Sequence, residues 1–119
     1  MNIEDFQNYC LNKKGVSQSF PFGGDALVFK VLGKMFTVIG IDTLPHKANL
    51  KCDPDLSLEL RDKHDDIQPG FHMNKKHWNT VLLDGSLDYQ LLCRLIDHSY
   101  ELVCKSLTKA QHESLKNMK

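Results

Sequence analysis

Residues 26–41, "ALVFKVLGKMFTVIGI", confine the fold more than any other stretch of the chain. Two runs rich in β-branched and aromatic residues, "ALVFKV" and "MFTVIGI", are too short for an amphipathic helix and suit strands. In the first run Leu27, Phe29 and Val31 alternate with Val28 and Lys30, which gives one apolar face and one that carries a charge. Gly33-Lys34 between the runs suits a two-residue connection with glycine first, as a type II′ turn requires, and strands joined so tightly are antiparallel. An antiparallel hairpin with one apolar face needs a cover, and the flanking sequence has to supply it.

Helices are the cover that the remaining patterns provide. Asn2 can cap a first helix, with Glu4 and Asp5 at its positive end and Ile3, Phe6, Cys10 and Leu11 at helical spacing before a stop at Gly15. Asp53-Pro54 pairs a capping acid with the proline that the first helical position tolerates, and a second helix runs through Leu56 and Leu60 to about His64. Ser86 caps the longest helix, whose apolar stripe is Leu91, Leu92, Leu95, Ile96, Leu102 and Val103. Thr108 with Gln111 three residues on forms a capping box for a short terminal helix. Between these helices, "ANLKC" is a third strand with Ala48, Leu50 and Cys52 inward. "DDIQPG" is a loop that turns at Pro69-Gly70, and "FHM" and "HWNTVLLD" read as a second hairpin or a broken strand pair. The expected order is α-β-β-β-α-β-β-α-α. The expected fold is α+β, a mainly antiparallel sheet of about five strands with helices on one face. Residues 1–119 read as a single domain, without repeat, low-complexity tract or linker.

Composition narrows the function. Lysine plus arginine and aspartate plus glutamate both number 15, so there is no basic excess of the kind that marks a general nucleic-acid binder. The four cysteines, Cys10, Cys52, Cys93 and Cys104, form no C-x-x-C pair, and ligand pairs at zinc-knuckle spacing are missing. The start, "MNIEDFQNYC", lacks a basic signal region, and no apolar run reaches the length of a membrane span. The expectation is a cytoplasmic protein with free thiols, no cofactor, no metal and no membrane contact. No catalytic residue is nominated either. Asp97-His98-Ser99 brings three triad residue types together, but helical neighbours point in different directions and cannot form a relay. Gly23-Gly24 lacks the spacing and following helix of a phosphate loop. A non-enzymatic protein is expected.

Four segments in order carry a family resemblance: "FPFGGDALVFKVLGKMF", "NLKCDP", "PGFHMNKKHWNTVLLDG" and "LIDHSYELV". The chain resembles the MmcQ/YjbR-like family of small bacterial proteins nearly end to end. The resemblance implies a CyaY-like fold, related to frataxin, in which helices pack an antiparallel sheet. It also implies the DNA-binding label that family members commonly carry, which rests largely on fold analogy. Frataxin relatives bind iron through acidic residues of the first helix. Glu4 and Asp5 are all that this helix offers, so iron binding is not carried over.

Candidate binding residues concentrate at "HMNKKHW", residues 72–78. Lysines make phosphate contacts and an aromatic neighbour can stack on a base, so His72, Lys75, Lys76 and His77, with Asn74 and Asn79 beside them, form a candidate DNA-contacting loop. Trp78 is read as a core anchor. Lys30 and Lys51, on the non-core side of their strands, extend the basic surface, and Lys34 and Lys47 lie near them. Residues 53–66 are the opposite pole, with six acids against Arg61 and Lys63. The partner expected first is the phosphate backbone of DNA. The alternative is a small molecule or a protein partner, bound with the same loop as one wall of a pocket against Phe20, Phe22 and the sheet.

Overall fold

The computed structural model describes residues 1–118. Its elements are α1 (Ile3–Leu11), β1 (Val16–Ser19), β2 (Ala26–Val31), β3 (Lys34–Gly40), β4 (His46–Lys51), α2 (Pro54–Lys63), β5 (Ile67–Pro69), β6 (Trp78–Leu83), α3 (Tyr89–Lys105) and α4 (Lys109–Lys116). The strands form one six-stranded antiparallel sheet in the order β1-β2-β3-β4-β6-β5. Helix α3 crosses β2, β3 and β4, while α1 lies beside β1 and α2 beside β5. The core is therefore one-sided. Leu27, Phe29, Val31, Ile39, Ala48, Leu50 and Val81 meet Phe6 and Cys10 of α1 and Leu92, Leu95, Ile96 and Val103 of α3.

The central hairpin holds the expected strands, but its turn lies one residue earlier. Val31 pairs with Lys34, leaving Leu32 and Gly33 as the two connecting residues, with φ of 47° and 85°. Positive φ at both positions is the type I′ pattern. Leucine tolerates it because its side chain packs against the core while its N–H donates to Gly15 O at 3.1 Å. In β3, Phe36 is the extra residue of a β-bulge: Phe29 pairs with Thr37 and Lys30 with Met35. The bulge lets Phe36 and Thr37 both be buried, and Phe36 meets the Tyr100 ring edge-on at 5.6 Å.

The helix caps follow local chemistry. Asn2 with Asp5 and Thr108 with Gln111 form reciprocal capping boxes, and Asp53 accepts from the N–H groups of Asp55 and Leu56 ahead of Pro54. The long helix departs from expectation. Asp88 caps it, accepting from Leu91 N at 3.1 Å, whereas the Ser86 hydroxyl donates to Asp66 and Asp84. Its buried face includes Ser99 in place of Leu102, which stays half-buried outside the core.

Two strands differ from the expected five-strand set. β1, "VSQS", is a polar edge strand with no apolar alternation to betray it. On the far edge the partner of β6 is Ile67–Pro69, anchored by buried Ile67, and "FHM" is a turn. Pro69 is compatible with that position because an edge strand leaves one row of backbone groups unpaired.

Candidate functional site

Helices cover one face of the sheet, and the other face is open among three connecting segments. By the alternation of the strands, Val38 of β3, Lys47 and Asn49 of β4 and Thr80 of β6 point to this side. The segment 22–26, the 43–45 connection and the Phe71-His72-Met73 turn rise around them. Together they enclose a cavity of about 600 Å³, lined mainly by apolar groups including Phe22, Ala26, Met35, Val38, Phe71 and Met73. Its charged lining residues are Asp25 and Lys47, with His72 beside them. A side cleft of about 140 Å³ runs toward Gln68 and Leu82 and shares Lys47, Phe71 and Thr80 with the main cavity. Phe22 and Phe71 stand at the rim, 71% and 62% exposed. Exposed apolar groups carry weight as a contiguous patch and not singly, and these two rings share one rim.

The wall formed by Phe71 and His72 is built in from below. Asn49 and Thr80 face each other in the β4–β6 ladder, and the Thr80 hydroxyl donates to Asn49 Oδ1. The same hydroxyl accepts the Phe71 N–H at 2.8 Å, and Asn49 Nδ2 donates to Phe71 O at 3.1 Å. Both backbone groups of Phe71 are thus gripped by one cross-strand pair. His72 follows at φ 61°, a conformation uncommon outside glycine, with its ring 4.2 Å from that of Phe71. Gly70 permits the approach. A Cβ there would lie 2.7 Å from Trp78 Cβ and 2.9 Å from Trp78 O, and the Gly70 N–H donates to that same oxygen at 2.8 Å.

A second clamp holds the C-terminal end of the loop. Arg61 of α2 donates through Nε to Asn79 Oδ1 at 2.8 Å and through Nη2 to Trp78 O at 3.2 Å and to Lys75 O. Several charge-assisted bonds from one planar guanidinium fix direction as well as distance. The Lys75 ammonium turns back to donate to Gly70 O at 2.9 Å, closing the loop on itself.

The candidate residues of 72–79 therefore divide by role. His72 lines the cavity. Asn74 shapes the turn, its side chain taking the Lys76 N–H and its carbonyl the N–H groups of His77 and Trp78. Lys75 closes the loop, while Lys76 and His77 remain exposed. Trp78 is 9% exposed, in agreement with its reading as an anchor. Asn79 is 2% exposed and bound to Arg61, so it presents nothing to a ligand. Lys30 and Lys51 are half-buried and outside the cavity. Of the two aromatics expected at a pocket, Phe22 lines it and Phe20 does not. Sequence reasoning missed Asn49, Thr80, Val38 and Phe71. Their signal was a pair of polar strand residues opposite the core-facing set, and an aromatic directly after a turn glycine.

Most of the shifted titrating groups lie on the helix side. Burial pushes the Cys10 thiol up to about 12. Desolvation also raises Tyr9, aided by Asp97, to which its hydroxyl donates at 2.8 Å. Lys13 pairs with Asp97 and lies 4.9 Å and 5.2 Å from the ring centroids of Tyr9 and Tyr100, sealing the α1–α3 seam. The three adjacent residues of α3 diverge. Asp97 joins this seam, His98 Nε2 accepts from Asp53 N at 3.0 Å, and the Ser99 hydroxyl donates to Phe36 O at 2.5 Å. Among the described residues no group of three metal-binding side chains converges, and no helix is long and apolar enough to cross a membrane.

Comparison with known proteins places this architecture in a lineage. Uncharacterized protein YjbR of Escherichia coli K12 is 34% identical over 116 residues, covering 97% of this chain and 98% of the relative. Uncharacterized protein YyaQ of Bacillus subtilis is 28% identical, over 83% of this chain and 95% of the relative. The crystal structure of Deinococcus radiodurans protein DR2400 superposes with a TM-score of 0.90 at 40% identity, across 97% of this chain and 88% of that one. A Pseudomonas syringae protein gives a TM-score of 0.75 at 32% identity, covering 86% and 98%. The YjbR family model matches residues 11–102, which span the sheet, the cavity and most of α3, and the chain belongs to the YjbR family.

Proposed function

We propose that this protein is a non-enzymatic binding module that takes a small apolar molecule on the open face of its sheet. The observation that carries this reading is the cavity of about 600 Å³, largely apolar and rimmed by exposed Phe22 and Phe71. Its size falls within the roughly 300–1,000 Å³ of small-molecule sites, which likewise combine apolar walls with a few polar groups. The double grip on Phe71 supports it further, because a pre-formed wall lowers the ordering cost of binding.

The nucleic-acid reading has less support. Lys75 directs its ammonium to Gly70 and Asn79 is buried, so of the loop's polar residues Lys76 and His77 are the freest to meet a phosphate backbone. The CyaY-like relation is likewise a proposal, tested by superposition on a frataxin structure.

The function is tested by mapping amide shifts in NMR spectra during titration with 1-naphthamide and, separately, with a DNA duplex at low salt. Binding at the cavity shifts Phe22, Val38, Lys47, Phe71 and Met73 with the amide. Shifts gathered on the helix face, or none, would refute the cavity reading. Duplex binding centred on residues 75–77, with a log–log salt slope lowered by up to about 2 in the Lys75→Ala, Lys76→Ala double variant, would replace it.

A further inference from the structure

We infer that the cavity is selective for an apolar monoanion, a carboxylate or sulfonate on an aromatic or aliphatic body, whose charged end meets Lys47. The inference rests on the binding reading above and adds the charge class of the ligand. Lys47 is exposed on the cavity floor, and among the described residues its ammonium has no acid partner, the ion pair found there being Lys13–Asp97. Asn49 lies two residues along the same strand and so on the same face. Its amide spends one N–H on Phe71 O and keeps the other. His72 lines the same cavity as these donors. The Thr80 hydroxyl is already committed both as donor and as acceptor.

Asp25 is the opposing charge in the cavity itself, and Asp66 lines the side cleft that shares Lys47. The N–H of Ile41, just past β3, donates to Asp25 O, so the β3 strand lies between Asp25 and β4. Its carboxylate nevertheless reaches over β3, with Oδ2 3.6 Å from the place of a Cβ on Gly40, so one strand spacing, roughly 5 Å, separates it from the backbone of β4. Asp25 therefore repels an anion in the cavity and limits its gain at Lys47, a limit that Asp25→Asn removes. Apart from the Thr43 hydroxyl, the remaining walls, among them Phe22, Ala26, Val38, Phe71 and Met73, suit an apolar body. A phosphate is a poor match, because among the described residues no arginine and no helix N-terminus lines the cavity.

The test is calorimetric titration of 1-naphthoate, 1-naphthamide and 1-naphthylmethylammonium into wild type, Lys47→Gln and Asp25→Asn. In wild type the naphthoate should bind about tenfold tighter than the amide, the gain expected of one charge-assisted contact. Lys47→Gln should bring naphthoate to the level of the amide, so that the tenfold ratio between the two probes disappears. Asp25→Asn should leave the preference for naphthoate in place or widen it. Equal binding of acid and amide in wild type would overturn the anion assignment while the cavity reading stands. Preference for the ammonium probe, lost in Asp25→Asn, would overturn it in favour of Asp25 as the recognising charge. Binding of none of the three would remove the small-molecule reading itself.

Discussion

Replacing Thr80 by valine removes one hydroxyl and keeps a branched side chain that strands accept. That hydroxyl takes the Phe71 N–H at 2.8 Å and donates to Asn49 Oδ1, so two hydrogen bonds are lost together. Each contributes about 0.5–1.5 kcal/mol net, which sets a ceiling of about 3 kcal/mol for the pair. Phe71 is exposed, so its freed N–H can turn to water and the full penalty of a buried orphan does not apply. The expected loss is about 1 kcal/mol, concentrated at the wall of the cavity. Hydrogen exchange at the Phe71 amide should then quicken about fivefold, the factor that 1 kcal/mol represents. Native-state exchange followed by NMR reads the local term, and urea unfolding reads the global one. Unchanged Phe71 exchange with an unchanged unfolding midpoint would refute the clamp.

Other perturbations probe the rest of the frame. Leu95→Ala should destabilise by about 2–5 kcal/mol in urea, because Leu95 is 7% exposed within the shared core; a loss under about half a kcal/mol would mean its contacts are misassigned. Gly70→Ala forces a Cβ to within 2.7 Å of Trp78 Cβ and should cost about 1–3 kcal/mol, a result that an unchanged unfolding midpoint would contradict. Stability should also fall in alkali. Cys10 in the folded state is pushed up to about 12, above its unfolded value, so the folded protein keeps a proton that the unfolded chain loses. That contribution is complete below about pH 9 and is lost as pH rises toward 12, with an upper bound of about 4 kcal/mol; Tyr9, Cys52 and Tyr100 shift in the same direction. Equal urea midpoints at about pH 8 and pH 10.5 would contradict it.

The elements legible in the sequence were those whose burial shows in their periodicity. The β2–β3 hairpin, the Ala48–Leu50–Cys52 face and the Leu92–Leu95–Ile96–Val103 stripe each carry an apolar alternation or a helical spacing that matches the side they bury. Caps were readable where the side chain acts on its own backbone, as at Asn2, Asp53 and Thr108. The rest depended on tertiary neighbours. Leu32 adopts a positive φ in a turn where leucine is unfavoured, and β1 forms from "VSQS" only because β2 offers it an edge. Three-residue β5 is too short for any period to register. The candidate site was half legible for the same reason. Composition marked the 72–79 loop, yet the inward turn of Lys75 and the burial of Asn79 depend on Gly70 and Arg61, which lie outside it. The open sheet face carries no signal in any one segment, since its lining comes from four strands and three connections.

The central claim is that ligands bind on the open sheet face, and filling that face tests it most directly. Val38 lies half-buried on the cavity floor, away from the helices, so Val38→Trp occupies the space without entering the core. The measurement is calorimetric titration of 1-naphthoate and 1-naphthamide into wild type and Val38→Trp, after urea unfolding shows that the variant remains folded. The account predicts that wild type binds and that the variant loses at least about tenfold in affinity for both probes, because a filled site leaves no apolar wall to contact. Equal affinities in a folded Val38→Trp protein would contradict it.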